Sequence, residues 1–218
     1  LKNDKIILEG FYSHLANSDD RNVSYNDIQI NRFKNIIKSN ALKDYNLKIH
    51  LLSSGGLFNF KDLKYNIIRS GLSVYGISPL GYPHKKLKPV MTLKAPIVLN
   101  KKIKKETMIG YGCVYKAKKN MKISIIQCGY GDGIPYEFSN KGIVFYNGIK
   151  MKIVGKVSMD LICVDSSQIN CKVGDDVIIW GGPLDESKLE HIAKKFNNVP
   201  YTYITGLTNR INREYIDE

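Results

Sequence analysis

The sequence predicts an α/β part over residues 1–85 followed by a mainly-β, antiparallel part over residues 86–218. Three observations carry that reading. Before residue 85, short apolar runs alternate with helical patterns, the rhythm of parallel βα units. After it, runs rich in valine and isoleucine follow one another, separated by turn residues and interrupted by a single helical pattern. In that second part, Tyr146-Asn147-Gly148 holds the Asn-Gly pair that favours a type I′ hairpin, whose two central residues both need positive φ.

The elements follow in order. LEGFYSHLANS is an apolar run from Leu8, and a helical pattern starting at Ser24 carries Ile28, Phe33, Ile36 and Ile37. KIHLLSSGG reads as a strand ending in glycines, a short helical stretch centres on Leu63, and NIIRSGLSVYG reads as the next strand. In the second part KPVMTLKAPIVLN, KISIIQCGYGDG, GIVFYNGIKMKIVGKVSMDLICVD and DDVIIWGG supply the strands. The helical interruption follows Asp185, with Leu189, Ile192, Ala193 and Phe196 on one face.

Composition excludes several functions. The 218 residues, 43% of them apolar, suffice for a hydrophobic core. No apolar run approaches the roughly 18 residues needed to cross a bilayer, and LKNDKIILEG lacks the blocks of a signal peptide, so the expected location is cytoplasmic with no membrane partner. Cys113, Cys128, Cys163 and Cys171 form no CxxC pair, which points to reduced thiols and no metal centre. The charge of +13 comes mostly from lysines in turns such as HKKLK, NKKIKKE and KAKKNMK. They lack aromatics spaced for stacking bases, so they read as a solvated surface and not a nucleic-acid site.

CGYGDG, residues 128–133, raises the question of a phosphate cradle. Such a cradle needs its glycine turn to open a helix whose first amides face the anion. Here IPYEFSNKGIVFY follows, with a proline and another strand, so the loop reads as a sharp turn that presents Tyr130.

The motifs EGFYSHLANSDD, IIRSGLSVYGISP, LKPVMTLKAPIV, IGYGCVYKA, CGYGDG, IVGKVSMDLICVD, VGDDVII and PYTYITGLTNRINREY stand in the order found in alanine racemases, and the chain resembles that family almost from end to end. The resemblance implies the C-terminal strands of a (β/α)8 TIM-type barrel that binds pyridoxal 5′-phosphate, over residues 1–85, and the family's C-terminal β domain over 86–218. It implies a homodimer through barrel and β domain, with each active site between the barrel of one copy and the β domain of the other. The reaction would interconvert L- and D-alanine and supply D-alanine for peptidoglycan.

The resemblance also assigns residues. Tyr111 matches the catalytic tyrosine base, and Tyr130 and Met159 match substrate contacts. His14 and Arg69 match cofactor contacts, and Ser54, Gly71, Leu72 and Tyr201 match contacts to its phosphate. Racemisation removes the α proton on one face and returns one on the other, so two bases must flank the carbon. An arginine such as Arg69 can only donate to the pyridine nitrogen, leaving it neutral and the ring a weaker electron sink than a carboxylate would make it.

The pattern departs from the family at Ser53, where asparagine is usual, and at Tyr136 and Lys156, where arginines are usual. Stretches like VVKANAYGHG, which carries the Schiff-base lysine, and KVDTGMGR, which carries a substrate arginine, are absent from the chain. The chain therefore reads as the C-terminal portion of a racemase, inactive alone. Two other readings stay open: a racemase of another small amino acid such as serine, or a related barrel decarboxylase, and a non-catalytic interaction module.

Overall fold

Strand β1 (Gly10–Tyr12) runs parallel to β2 (Lys48–His50), with Phe11 opposite Ile49. The computed structural model describes residues 5–42 and 44–216, and the chain divides into two units, Leu1–Lys88 and Pro89–Glu218. In the first unit a third parallel position is reduced to a bridge between Ser53 and Arg69, supported by Arg69 N–H donating to Leu52 O at 3.0 Å. The expected strand over NIIRSG is thus present only as that bridge, and a 3-10 turn at Leu72–Tyr75 follows it.

Helix α1 (Tyr25–Ile37) covers this small sheet. Its buried stripe is Asn26, Ile30 and Phe33, while Ile28 and Ile36 are exposed. Asn26 can face inward because its Nδ2 donates to the carbonyls of Asn17 and Asp20, both at 2.9 Å. Ile30 and Phe33 pack with Leu15, Leu51, Leu52 and Phe60, and Phe33 stacks on Phe11 at 5.4 Å. Each large apolar side chain buried this way stabilises the unit by about 1.5–3 kcal/mol.

Helix α2 spans Ser54–Asn59, whereas the sequence pattern suggests a helix around Leu63. Glycine is a poor helix former, yet packing overrides propensity here. A Cβ on Gly55 would overlap Asp19 Oδ1, and one on Gly56 would meet Leu52 Cδ2 at 2.9 Å. Only Gly-Gly lets the helix start this close to the strand. Leu63 sits in the turn that follows.

The second unit is built from β3 (Leu93–Ile103), β4 (Met108–Ile109), β5 (Tyr115–Lys116), β6 (Met121–Ile126), β7 (Ile143–Tyr146), β8 (Ile149–Lys152), β9 (Ile162–Asp165) and β10 (Asp176–Trp180). Six of them form an antiparallel sheet in the order β8-β7-β10-β3-β6-β9, while β4 and β5 pair as a short ribbon. Ile153 and Val164 bridge the two outer strands, and Val154 N–H donates to Cys163 O at 2.8 Å, so the sheet closes on itself. Closure leaves no long free edge. The β7–β8 turn has φ 46° at Asn147 and φ 83° at Gly148, as a type I′ turn requires.

Ile97, Ile126, Val144, Met151, Ile179 and Trp180 fill the interior. Helix α3 (Leu189–Lys195) buries Leu189, Ile192 and Ala193. A further helix, α4 (Pro200–Thr205), has no counterpart in the sequence reading. Pro200 sits at its first position, where a missing N–H costs nothing, and Tyr203 is fully buried.

Candidate functional site

In the first unit the bridge between Ser53 and Arg69 brings two groups of polar side chains to one end of the parallel strands. Arg69 is the centre of the first group. Its Nη1 donates to His50 Nδ1 at 2.7 Å, and its Nη2 donates to Ser13 O at 2.8 Å and to His14 Nδ1 at 3.0 Å. Arginine has no acceptor, so both imidazoles accept at Nδ1. The guanidinium also lies over the Tyr12 ring at 5.4 Å, and that ring stacks on His50. Among the described residues Arg69 Nε–H has no partner. The guanidinium is therefore fixed at its tips with donors to spare, Nε–H among them.

Ser54 is the centre of the second group and is buried. Its Oγ accepts from Gly71 N–H at 2.8 Å and contacts Ser73 Oγ at 3.1 Å, tying the start of α2 to the 3-10 turn at Leu72–Tyr75. Ser53 Oγ is bonded to Ser18 Oγ at 3.0 Å. The serine in the position of the family's asparagine therefore serves a local contact. Gly55 leaves no space for a side chain, because Asp19 Oδ1 and Ser18 Oγ pack where its Cβ would lie. The Ser54 hydroxyl and the Gly71 N–H are groups that can donate to a small anion such as a phosphate group. Arg69 beside it suits the pyridine nitrogen of pyridoxal phosphate, so the residues present fit that cofactor.

In the second unit Tyr111 opens a 3-10 turn, Tyr111–Cys113, and is 73% exposed. Gly110, Gly112 and Cys113 take φ of 74°, 69° and 51°, so a chain of left-handed residues turns the phenol outward. Lys156 is folded beneath: its Nζ stands 3.2 Å from where a Cβ on Gly112 would lie. Tyr111 borders an open groove of about 530 Å³, lined by Leu99, Met108, Ile125, Lys156 and Leu161 among others.

CGYGDG forms a second turn, and its glycines serve close approach. A Cβ on Gly129 would overlap the carbonyls of Ser158 and Met159, and one on Gly133 would overlap Gly206 O. Tyr130 N–H donates to Ser158 O at 3.0 Å and Gly131 N–H to Met159 O at 2.9 Å. The turn thus lies against the Ser158–Asp160 loop, and Tyr130 and Met159, both about half exposed, project from the pair. Asp132, which also caps Gly129 N–H at 2.8 Å, and Arg210 support this arrangement.

Tyr201 lies on α4 in the second unit, and Tyr136 is exposed in a 3-10 turn, Tyr136–Phe138. Among the described residues no cluster of His, Cys, Asp or Glu could hold a metal ion, and no helix is long and apolar enough to cross a membrane. The structure joins His14 to Arg69, Ser54 to Gly71, and the Tyr130 turn to the Met159 loop. His50, Ser73, Asp132 and Arg210 escape the sequence reading.

The first unit has parallel strands and a helix, and the second an antiparallel β sheet, the make-up of an α/β unit followed by a β domain. Residues 1–79 match "Alanine racemase, N-terminal domain" and residues 90–215 match "Alanine racemase, C-terminal domain". The chain belongs to the alanine racemase family. It is 37% identical over 211 residues to an alanine racemase of Pasteurella multocida, an alignment covering 95% of this chain and 56% of that protein. A crystal structure of alanine racemase from Bartonella henselae with covalently bound pyridoxal phosphate superposes with TM-score 0.86 at 33% identity, over 95% of this chain and 56% of that one. Alanine racemase from D-cycloserine producing Streptomyces lavendulae superposes with TM-score 0.90 at 26% identity, over 96% and 56%. The chain thus spans little more than half the length of these relatives.

Proposed function

We propose that these residues belong to a cytoplasmic alanine racemase, a homodimeric isomerase that interconverts L- and D-alanine with pyridoxal phosphate and feeds D-alanine to the cell wall. The fixing of Arg69 by the His14 and His50 imidazoles carries this reading. Such a guanidinium offers Nε–H to a pyridine nitrogen without protonating it. In this reading residues 1–85 are the cofactor-binding end of the barrel and residues 86–218 the β domain.

When bound, pyridoxal phosphate supplies an electron sink for the negative charge that develops at the amino acid's α carbon. Ser54 Oγ and the Gly71 and Leu72 amides would hold its phosphate. His14 and Arg69 orient the ring. Tyr111 Oη exchanges a proton with the α carbon on one face, and a second base on the opposite face completes racemisation. Tyr130 and Met159 would contact the substrate. The Tyr111 groove is apolar and open, and the proposed cover is the barrel of a second copy, which would exclude water from the proton transfer.

The test is turnover of L-alanine to D-alanine by the full-length gene product. Replacing Arg69 by Glu would place a carboxylate against the pyridine nitrogen, protonate it and alter the absorption of the bound cofactor. Alanine turnover is expected in the parent enzyme, and its absence there, with serine turned over instead, would replace this reading.

A further inference from the structure

We propose that Arg210 is a positioning residue that clamps the Tyr130 turn to the Met159 loop and so sets how tightly a small amino acid is held. The kinetic half of this inference rests on the racemase reading, whereas the clamp itself does not.

The two segments meet through little else. Gly129 and Gly131 have no side chains, and two backbone hydrogen bonds, from Tyr130 N–H to Ser158 O and from Gly131 N–H to Met159 O, join the turn to the loop. Tyr130 is 48% and Met159 53% exposed, so no buried apolar contact anchors either tip. Arg210 spans the gap. Its Nε meets Asp132 Oδ1 at 3.3 Å in the turn, and its Nη2 donates to Asp160 Oδ1 at 2.5 Å beside Met159. The guanidinium fits because Gly131 has no Cβ, which would overlap Nη1. Asp132 uses its other oxygen to accept Gly129 N–H, so one carboxylate holds the turn from inside and outside. The segment bearing Arg210 is itself tied down, with Thr208 Oγ1 donating to Gly131 O at 2.8 Å.

A planar fork can hold two carboxylates at once, whereas a lysine ammonium is a point charge that can serve one at a time. The Arg210 and Asp160 side chains are 49% and 57% exposed, so that pair contributes little to global stability, and Asp132, 12% exposed, keeps its bond to Gly129 N–H when Arg210 is removed. Removing the clamp therefore loosens the two loops without unfolding the domain.

Amide hydrogen exchange of the full-length protein reads the clamp directly. Arg210→Ala is expected to speed exchange of the Tyr130 and Gly131 amides about fivefold or more while leaving β6 amides such as Ile125 unchanged, the pattern of local opening. Asp160→Asn should reproduce the effect at Gly131, and it stands as the test if the arginine variant does not fold. Arg210→Lys should fall between. In alanine turnover, KM should rise about fivefold with kcat nearly unchanged, because the wall that binds the substrate has loosened and the base has not moved. Unchanged amide protection in both variants, or loss in step with Ile125, overturns the clamp. Open amides with an unaltered KM overturn its kinetic role. Open amides in an enzyme that does not turn over alanine uphold the clamp and remove the racemase reading instead.

Discussion

Tyr111 shows how much a single side chain asks of its backbone: three of its neighbours in sequence are left-handed so that one phenol can point outward. If that phenol transfers the proton, Tyr111→Phe in the full-length enzyme lowers kcat by about 10²–10⁴-fold with KM nearly unchanged, measured by steady-state alanine turnover. The cysteines support a second prediction. Burial, with help from Asp132 and Asp165 respectively, pushes the Cys128 and Cys163 thiols up from 9.0 to about 12. The folded state keeps protons there that an unfolded chain releases, so the associated stability is complete below pH 9 and shrinks as pH rises towards 12. Urea midpoints should fall over that window, and less steeply in Cys128→Ala. Native alkylation at pH 8 should label exposed Cys113 and spare the other three. Tyr111, Tyr130 and Arg69 were legible because motifs surround them. His50 and Arg210 were not, because their partners lie 19 and 50 residues away and no local pattern announces such pairs.

At the level of elements, the glycines of CGYGDG are there for contact. Gly129→Ala forces a methyl into two carbonyls and is expected to destabilise the β domain by about 2–3 kcal/mol. Gly174→Ala is the control. It has φ 93° but nothing within 4 Å, so it should cost only the backbone strain, about 1 kcal/mol. Thermal melts of the two variants decide the matter. The strands and the Asn147-Gly148 hairpin were readable from valine and isoleucine runs and one dipeptide. Helix α2 was not, because Gly55 and Gly56 argue against a helix until the wall they pack on is known. The inward face of α1 misled for a similar reason: an asparagine satisfied by two carbonyls replaced the isoleucines that the pattern favoured.

For the whole molecule, the proposed dimer makes the sites shared property. If Tyr111 serves the partner's site while Arg69 serves its own, inactive Tyr111→Phe and Arg69→Glu enzymes should recover activity when refolded together, to about a quarter of the parent rate for random pairing with one intact site per mixed dimer. No recovery in a confirmed mixed dimer would place both residues in one subunit's site. The strand order has a consequence in time. Strand β10 lies between β7 and β3, although Asp176 and its partner Pro96 are 176 − 96 = 80 residues apart. Two partial sheets, β8-β7 and β3-β6-β9, can assemble while the chain is still being synthesised. They become a closed cylinder only when residues 176–180 slide between them, a late and slow event because of the long loop it closes. Trp180, the chain's one tryptophan, sits on that strand and is 2% exposed. Its fluorescence should therefore trail the growth of far-ultraviolet β signal during refolding, and simultaneous changes would mean that the wedge strand goes in with the rest.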